Sequence, residues 1–294
     1  MPRSLDSLNH ASRSDFVAAL GGIFERAPWV AERAHSRAPF PTVGDLLEAM
    51  RAVLAQAPRD EQLALLRNHP DLVAGKAARA KTLTAASAAE QGGLGLDQLS
   101  AEELARFERL NTAYRDKFGF PFIICVRRQT RDAVLAALAR RLEHDRDREL
   151  ATALEEVALI ARLRLADEVQ GPGMLKTEGR LTTHVLDTYA GRAAAGMRID
   201  LFEIGASAAV RLAEAVTNAD GRTDAPLLSG APLRIGRYEL RFHVGAYFAK
   251  QNIVLPEPAF LDIVPVRFAV AEPEGRYHVP LLVSPWSYAT YRGS

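Results

Sequence analysis

Through the first half of the chain apolar residues recur at intervals of three and four, the spacing of a helix face. Beyond residue 180 they alternate in short runs broken by Gly, Pro and Asn-Ala-Asp-Gly, the spacing of strands. The change falls at Asp167-Glu-Val-Gln-Gly-Pro-Gly-Met-Leu-Lys-Thr-Glu-Gly179, a stretch with three glycines, one proline and few apolar side chains. The pattern predicts an all-α helical domain over 1–168, a linker over 169–179 and an all-β sandwich over 180–294. A length of 294 residues is about two average domains, so each side can bury its own core.

In the first half, Ser14 is read as the cap of a helix carrying Phe16, Leu20, Ile23 and Phe24, and Thr42 with Asp45 opens one carrying Leu46, Leu47, Met50, Val53 and Leu54. The two prolines of Arg37-Ala-Pro-Phe-Pro41 make the stretch between them a loop. A helix over Glu61 to Arg67 ends at Asn68-His69-Pro70-Asp71, where Pro70 turns His69 away from helical angles. A further helix covers Thr84 to Gln91, and Ser100-Ala-Glu-Glu103 is a capping box for one carrying Leu104, Phe107, Leu110, Tyr114 and Phe118. Gly119 and Pro121 break that helix, and an apolar extended segment follows to Arg127. Long helices are expected over Asp132 to Glu143 and Asp147 to Asp167.

Three polar residues stand out against this pattern. Arg164 shares a helix face with Ala153, Val157 and Ile160, so its guanidinium either snorkels at the helix end or enters a pocket that needs positive charge. His69 reads equally as a turn residue bonded to backbone, and Glu90 of Ser87-Ala-Ala-Glu90 as a capping side chain.

In the second half, Leu181 to Asp187 is the first strand, with Thr182, His184 and Leu186 on one face and Leu181, Thr183, Val185 and Asp187 on the other. Met197 to Ile204, Val210 to Thr217, Arg234 to Val244, Phe260 to Val270 and Arg276 to Val283 are further strands, with a short helix over Gly245 to Gln251. Asn218-Ala-Asp-Gly-Arg222 is a turn in which Gly221 is free to take positive φ.

Composition narrows the partners. Lys plus Arg (37) nearly cancel Asp plus Glu (36), so no basic excess points to nucleic acid or an anionic membrane. The single cysteine, Cys125, lies in an apolar run and reads as a buried structural thiol rather than a nucleophile, which suits a reducing compartment. No run is long and apolar enough to span a membrane, and the N-terminus lacks an apolar signal core, so a cytoplasmic location is expected.

Taken in series, His69-Pro-Asp-Leu, Ala74-Gly-Lys76, Leu83-Thr-Ala-x-Ser87-x-x-Glu90-Gln91, Tyr114-Arg-x-Lys-Phe-Gly-Phe-Pro-Phe122 and Ile160-Ala-Arg-Leu-Arg164-Leu-Ala-Asp167 resemble the 2-oxo-4-hydroxy-4-carboxy-5-ureidoimidazoline (OHCU) decarboxylase family of urate degradation. The likeness covers residues 6 to 168, departing where Leu72 to Lys76 is one residue longer than the usual Leu-Ala-Gly-Lys. The resemblance implies an all-helical, cofactor-free enzyme with His69 as proton donor and catalytic roles for Glu90 and Arg164. It also implies substrate contacts at Pro70, Ser87, Gln91, Phe122, Ile123, Ile124, Cys125 and Val126. Loss of carbon dioxide leaves charge to be spread and one face to be protonated, tasks that suit an arginine fork and an imidazole.

Leu181-Thr-Thr-His-Val-Leu-Asp187, Thr217-Asn-Ala-Asp-Gly-Arg-Thr-Asp-Ala-Pro-Leu227, Tyr277-His-Val-Pro-Leu-Leu-Val-Ser-Pro285 and Tyr291-Arg-Gly-Ser294 resemble the transthyretin-related 5-hydroxyisourate hydrolase family, over residues 180 to 294. Arg192-Ala-Ala-Ala-Gly196 departs from that family by lacking a proline. This second resemblance implies a two-sheet sandwich, a homotetramer through the C-terminal domain with sites at a subunit interface, catalytic roles for His184, Arg222, His278 and Ser294, and a substrate contact at Tyr291. Water attacking a ring carbonyl must lose a proton, which suits paired histidines, while Arg222 can steady the charged oxygen. No metal is expected, because His184 and His278 lack the short spacing of a common zinc motif. The two implied activities are consecutive, from 5-hydroxyisourate through OHCU to (S)-allantoin, with neither nucleic acid nor membrane as partner. The alternative is one active domain joined to a structural or ligand-carrier module.

Overall fold

The computed structural model describes residues 2–72, 83–96, 99–251 and 253–293. The chain forms two compact units, one of Met1–Arg127 with Ala133–Lys176, the other of Arg128–Asp132 with Thr177–Ser294.

The first unit is helical. After a two-residue strand β1 (Arg3–Ser4) come α1 (Leu5–Asn9), α2 (Arg13–Leu20), α3 (Pro28–Ala34), α4 (Val43–Gln56), α5 (Arg59–Asn68), α6 (Ala85–Gly92), α7 (Ala101–Phe118), α8 (Arg131–Arg141) and α9 (Arg146–Glu168), then a second two-residue strand, β2 (Val169–Gln170). Strands β1 and β2 pair in parallel, so the helical unit carries a small ladder that periodicity does not announce. Thr42 and Ser100 cap α4 and α7, and Ser100 with Glu103 forms the expected capping box. The α2 cap is Ser12 rather than Ser14, because Ser12 accepts the Asp15 N–H. Helix α2 also stops at Leu20, so Ile23 and Phe24 enter the core from a turn and not from the helix stripe. Phe16, Leu20, Val30, Leu46, Met50, Leu66, Val134 and Ala161 form part of one buried cluster, in which each large aliphatic or aromatic side chain contributes about 1.5–3 kcal/mol.

Gly119, at φ 78°, closes α7, and the irregular run that follows buries Phe120, Phe122, Ile123, Ile124, Cys125 and Val126. Behind it lies a buried polar group. Arg141 donates to Glu149 Oε1 from Nε (2.8 Å) and Nη2 (2.6 Å) and to the Ile123 carbonyl from Nη1 (2.8 Å), while Tyr114 and His144 also bond to Glu149. That group fixes the backbone of the apolar run.

The second unit holds β3 (Arg180–Asp187), β4 (Arg192–Ala193), β5 (Arg198–Ile204), β6 (Ala209–Val216), β7 (Gly236–His243), α10 (Val244–Phe248), β8 (Ile263–Val270), β9 (Arg276–Val283) and β10 (Tyr288–Thr290). Two four-stranded sheets result, ordered β10-β9-β3-β4 and β6-β5-β7-β8. Strands β3 and β9 run parallel, pairing Thr182 with His278 and His184 with Pro280. Leu181, Thr183, Val185 and Asp187 are buried while Thr182, His184 and Leu186 are only partly covered, as strand alternation requires. Val185 and Leu281 of one sheet join Leu201 and Leu240 of the other in a single buried cluster.

The stretch between the two patterns is not slack over most of its length. The Val43 N–H donates to the Pro172 carbonyl at 2.9 Å, and Gly173, at φ 64°, sits so tightly on Thr42 that a Cβ there would meet its Cβ at 2.6 Å. Among the described residues no helix is long and apolar enough to cross a membrane.

Candidate active sites

The helical unit gathers a recess lined by His69, Pro70, Leu72, Ser87, Glu90, Gln91, Phe122, Ile123, Ile124, Val126 and Ile160. Four elements supply it: the exit of α5, helix α6, the irregular run after α7, and α9. Pro70 ends α5, leaving His69 extended (ψ 138°) with its N–H on the Leu66 carbonyl. Thr84, not Ser87, caps α6, so Ser87 and Glu90 keep their side chains for other contacts. Gln91 donates from Nε2 to the Asp71 carbonyl at 3.0 Å. Cys125 is buried and stands outside the lining; its backbone N–H donates to Glu156 at 2.8 Å.

Arg164 is buried, one helical turn beyond Ile160 on α9, and is likewise outside the lining. It is a fully bonded hub. Nε and Nη2 donate to the two oxygens of Glu90, each at 2.9 Å, and Nη2 also donates to Ser87 Oγ at 3.2 Å. Nη1 donates to Glu25 Oε2 at 2.5 Å and to the Gly22 carbonyl at 3.4 Å. Glu25, which the sequence reading passed over, is buried and accepts from Thr84 Oγ1 (2.6 Å) and Ser87 Oγ (3.1 Å) as well. Burial alone pushes its carboxyl up, but the Thr84 hydroxyl, Arg164 and His69 together hold it below its ordinary value.

Burial drives the His69 pKa down to about 4, with Arg164 and Arg26 adding to the effect and Glu25 opposing it. The ring is therefore neutral near pH 7. Among the described residues its buried Nδ1 has no hydrogen-bond partner.

On the strand unit, His184 of β3, His278 of β9 and Arg222 come together at one face of the β10-β9-β3-β4 sheet. A bridge joins His184 to Arg222, whose position follows the Asn218 turn: the Arg222 N–H donates to Asn218 Oδ1 at 3.2 Å and Gly221 takes φ 73°. A side chain at Gly221 would run into the Val185 carbonyl. Burial, then Arg222, lowers the His184 pKa against the Asp220 carbonyl; burial, Arg222 and His184 lower that of His278. Thr182, one alternation from His184, lies 2.9 Å through Oγ1 from His278 Nδ1. A second bridge pairs His278 with Gly293, where a Cβ would meet the imidazole Cδ2 at 2.5 Å, and Tyr291 is exposed on the same terminal segment. Ser294 and the Val73 to Lys76 part of the lengthened loop lie outside the described residues. Among the described residues no three His, Cys, Asp or Glu side chains converge as a metal site.

The family model for OHCU decarboxylase matches residues 9–166, and that for the HIUase/Transthyretin family matches residues 181–293. The chain belongs to both: it is an OHCU decarboxylase family member fused to a member of the 5-hydroxyisourate hydrolase and transthyretin family. The helical part is 45% identical over 164 residues to 2-oxo-4-hydroxy-4-carboxy-5-ureidoimidazoline decarboxylase of Haloferax volcanii, covering 56% of this chain and 95% of that protein. The strand-rich part is 52% identical over 120 residues to 5-hydroxyisourate hydrolase 2 of Rhizobium meliloti, covering 41% of this chain and 100% of that one. As a whole, the chain is similar to the crystal structure of (S)-allantoin synthase, at 39% identity and a TM-score of 0.55, with 100% of both chains covered.

Proposed function

We propose that this chain is a bifunctional enzyme of urate degradation, hydrolysing 5-hydroxyisourate to OHCU in its strand-rich domain and decarboxylating OHCU to (S)-allantoin in its all-α domain. The observation that carries the reading is the pair of polar sites, each built on a histidine of lowered pKa near an arginine, in a chain similar over its full length to (S)-allantoin synthase.

In the hydrolytic step water adds to a ring carbonyl, gives up a proton, and the ring C–N bond opens. His184 and His278 are held neutral and so can take that proton, while Arg222 steadies the oxygen as it gains charge. The Thr182 hydroxyl, 3.4 Å from the Tyr277 carbonyl and 2.9 Å from His278 Nδ1, holds the ring by that nitrogen and leaves Nε2 for the reaction. Tyr291 supplies a substrate contact and Ser294 a further catalytic group, on a transthyretin-like sandwich assembled as a homotetramer.

In the decarboxylation the C–C bond to the carboxylate breaks, carbon dioxide leaves, and the remaining carbon takes a proton from one side. His69 is the donor. It is neutral near pH 7, and a carboxylate beside it raises its pKa and so favours the protonated form that donates. Glu90 faces the recess and receives the N–H groups of the substrate, while Pro70, Ser87, Gln91 and Phe122 to Val126 shape the walls. This lyase step, like the hydrolysis, runs without a cofactor, in a cytoplasmic protein whose one thiol is buried and structural.

The test is to generate 5-hydroxyisourate in situ from urate with urate oxidase, add the purified chain, and follow absorbance and circular dichroism together. The expected result is fast decay of the hydroxyisourate signal followed by the dichroism of (S)-allantoin. Decay that stops at OHCU leaves only the hydrolase, and no acceleration over buffer hands the strand domain to a carrier role.

A further inference from the structure

Arg164 has five N–H groups, and all five have acceptors inside the protein: two on Glu90, one each on Ser87, Glu25 and the Gly22 carbonyl. None is left for a substrate carboxylate, and the guanidinium is not on the wall of the recess. What it does instead follows from its two acidic partners, which differ in surroundings. Glu90 is on the wall, and Arg164 is its hydrogen-bonding partner. Glu25 is off the wall and held by three side chains, Thr84, Ser87 and Arg164. The turn that carries Glu25 inward also shows a local cost, since the next residue, Arg26, takes φ 53°, a left-handed conformation that a residue with a Cβ adopts only where its surroundings enforce it.

We propose that Glu25 is a positioning residue of the decarboxylase site, holding Arg164 and Ser87 from behind so that Glu90 keeps its aim into the recess and can turn to the substrate while the guanidinium keeps a carboxylate partner. Two carboxylates on one arginine leave the cluster with an excess negative charge. When Glu90 moves to substrate N–H groups, the Glu25–Arg164 pair that stays behind is neutral, and no buried charge is abandoned at that step. Arg164 on this account acts through Glu90 and does not receive the substrate anion. The inference rests on the proposed decarboxylation.

The experiment uses the full chain and the in situ substrate, and reads kcat and KM for (S)-allantoin formation together with the melting temperature. Glu25→Gln is expected to lower kcat by roughly 10- to 100-fold with KM within about threefold, because a misaimed group is lost in the transition state and not in ground-state binding. Hydrolysis of 5-hydroxyisourate stays at the wild-type rate. In a double-mutant cycle with Arg164→Gln, the two losses are expected to overlap and not multiply. Glu25→Asp keeps every charge and draws the carboxylate back from Arg164 and Ser87, so a loss of about two- to fivefold in kcat is expected from it, and it decides the matter if Glu25→Gln does not fold. Wild-type kcat in either variant with a lowered melting temperature makes Glu25 merely structural and overturns the proposal; so does a rise in KM alone, or losses that multiply. A wild-type chain that forms no (S)-allantoin overturns the functional reading itself, a result plainly different from an active wild type with an equally active Glu25→Gln.

Discussion

The two sites use the same side chains in opposite settings. In the helical unit the histidine is driven to a pKa of about 4 by enclosure, and the neighbouring guanidinium is paired with two carboxylates. On the strand unit the histidines are partly covered, Arg222 is exposed, and no acidic side chain is paired with it among the described residues. The difference teaches where each site finds its electrostatics. An enclosed site carries its own counter-charges and has to be rearranged by the ligand, whereas an open sheet face leaves its cation available and has walls still to be supplied. The homotetramer proposed above would supply those walls if the sites lie at its subunit interfaces.

The comparison breaks most sharply at His69. His69→Ala is expected to slow (S)-allantoin formation by about 10²- to 10⁴-fold while leaving hydrolysis intact, as read from the lag between the two optical signals. Equal slowing of both steps would mean that the sites are not separate. Arg222→Lys keeps the charge and loses the planar fork, and a fall of roughly 10- to 100-fold in hydrolysis is expected, with decarboxylation of preformed OHCU unchanged. Gly293→Ala pushes a methyl against His278, and a loss of a few-fold in hydrolysis should appear in steady-state rates.

The smallest effect is on stability. Between pH 6.5, the ordinary imidazole value, and about pH 4 the unfolded chain takes up a proton at His69 that the folded chain refuses, so stability falls as the pH falls through that window. His184 and His278 are lowered in the same sense. Melting of the helical signal against pH should therefore be flatter in His69→Gln than in the wild type, and a slope that does not change would remove His69 from the acid limb.

How much of this was legible in the chain depends on how local the signal is. The Ser100–Glu103 box, the Thr42 cap, the break at Gly119 and the β9 strand from Arg276 to Val283 are written in neighbouring residues and are found where spacing puts them. His184 and Thr182 fall on one face by alternation alone, yet the Thr182 contact to His278 depends on parallel pairing of strands far apart in sequence. Glu25 was illegible for a related reason. Ile23 and Phe24 fit a helix stripe, so the next residue reads as its solvent side, but the helix ends at Leu20 and a turn at Arg26 directs the carboxylate inward to partners on α6 and α9. The apparent Ser87–Glu90 box failed because Thr84 had already capped that helix, which is what left both side chains for Arg164.

The two-residue ladder of β1 with β2, reinforced by Arg3 donating to Glu168 at 3.1 Å, sets the entry and exit of the helical unit side by side. Ends that are neighbours make a unit indifferent to where its chain is cut. Because the strands run parallel, joining Gln170 to Arg3 takes a linker that returns along the ladder; with new ends opened at the Ala57-Pro58 corner between α4 and α5, the expected circular permutant retains the helices and their buried cluster.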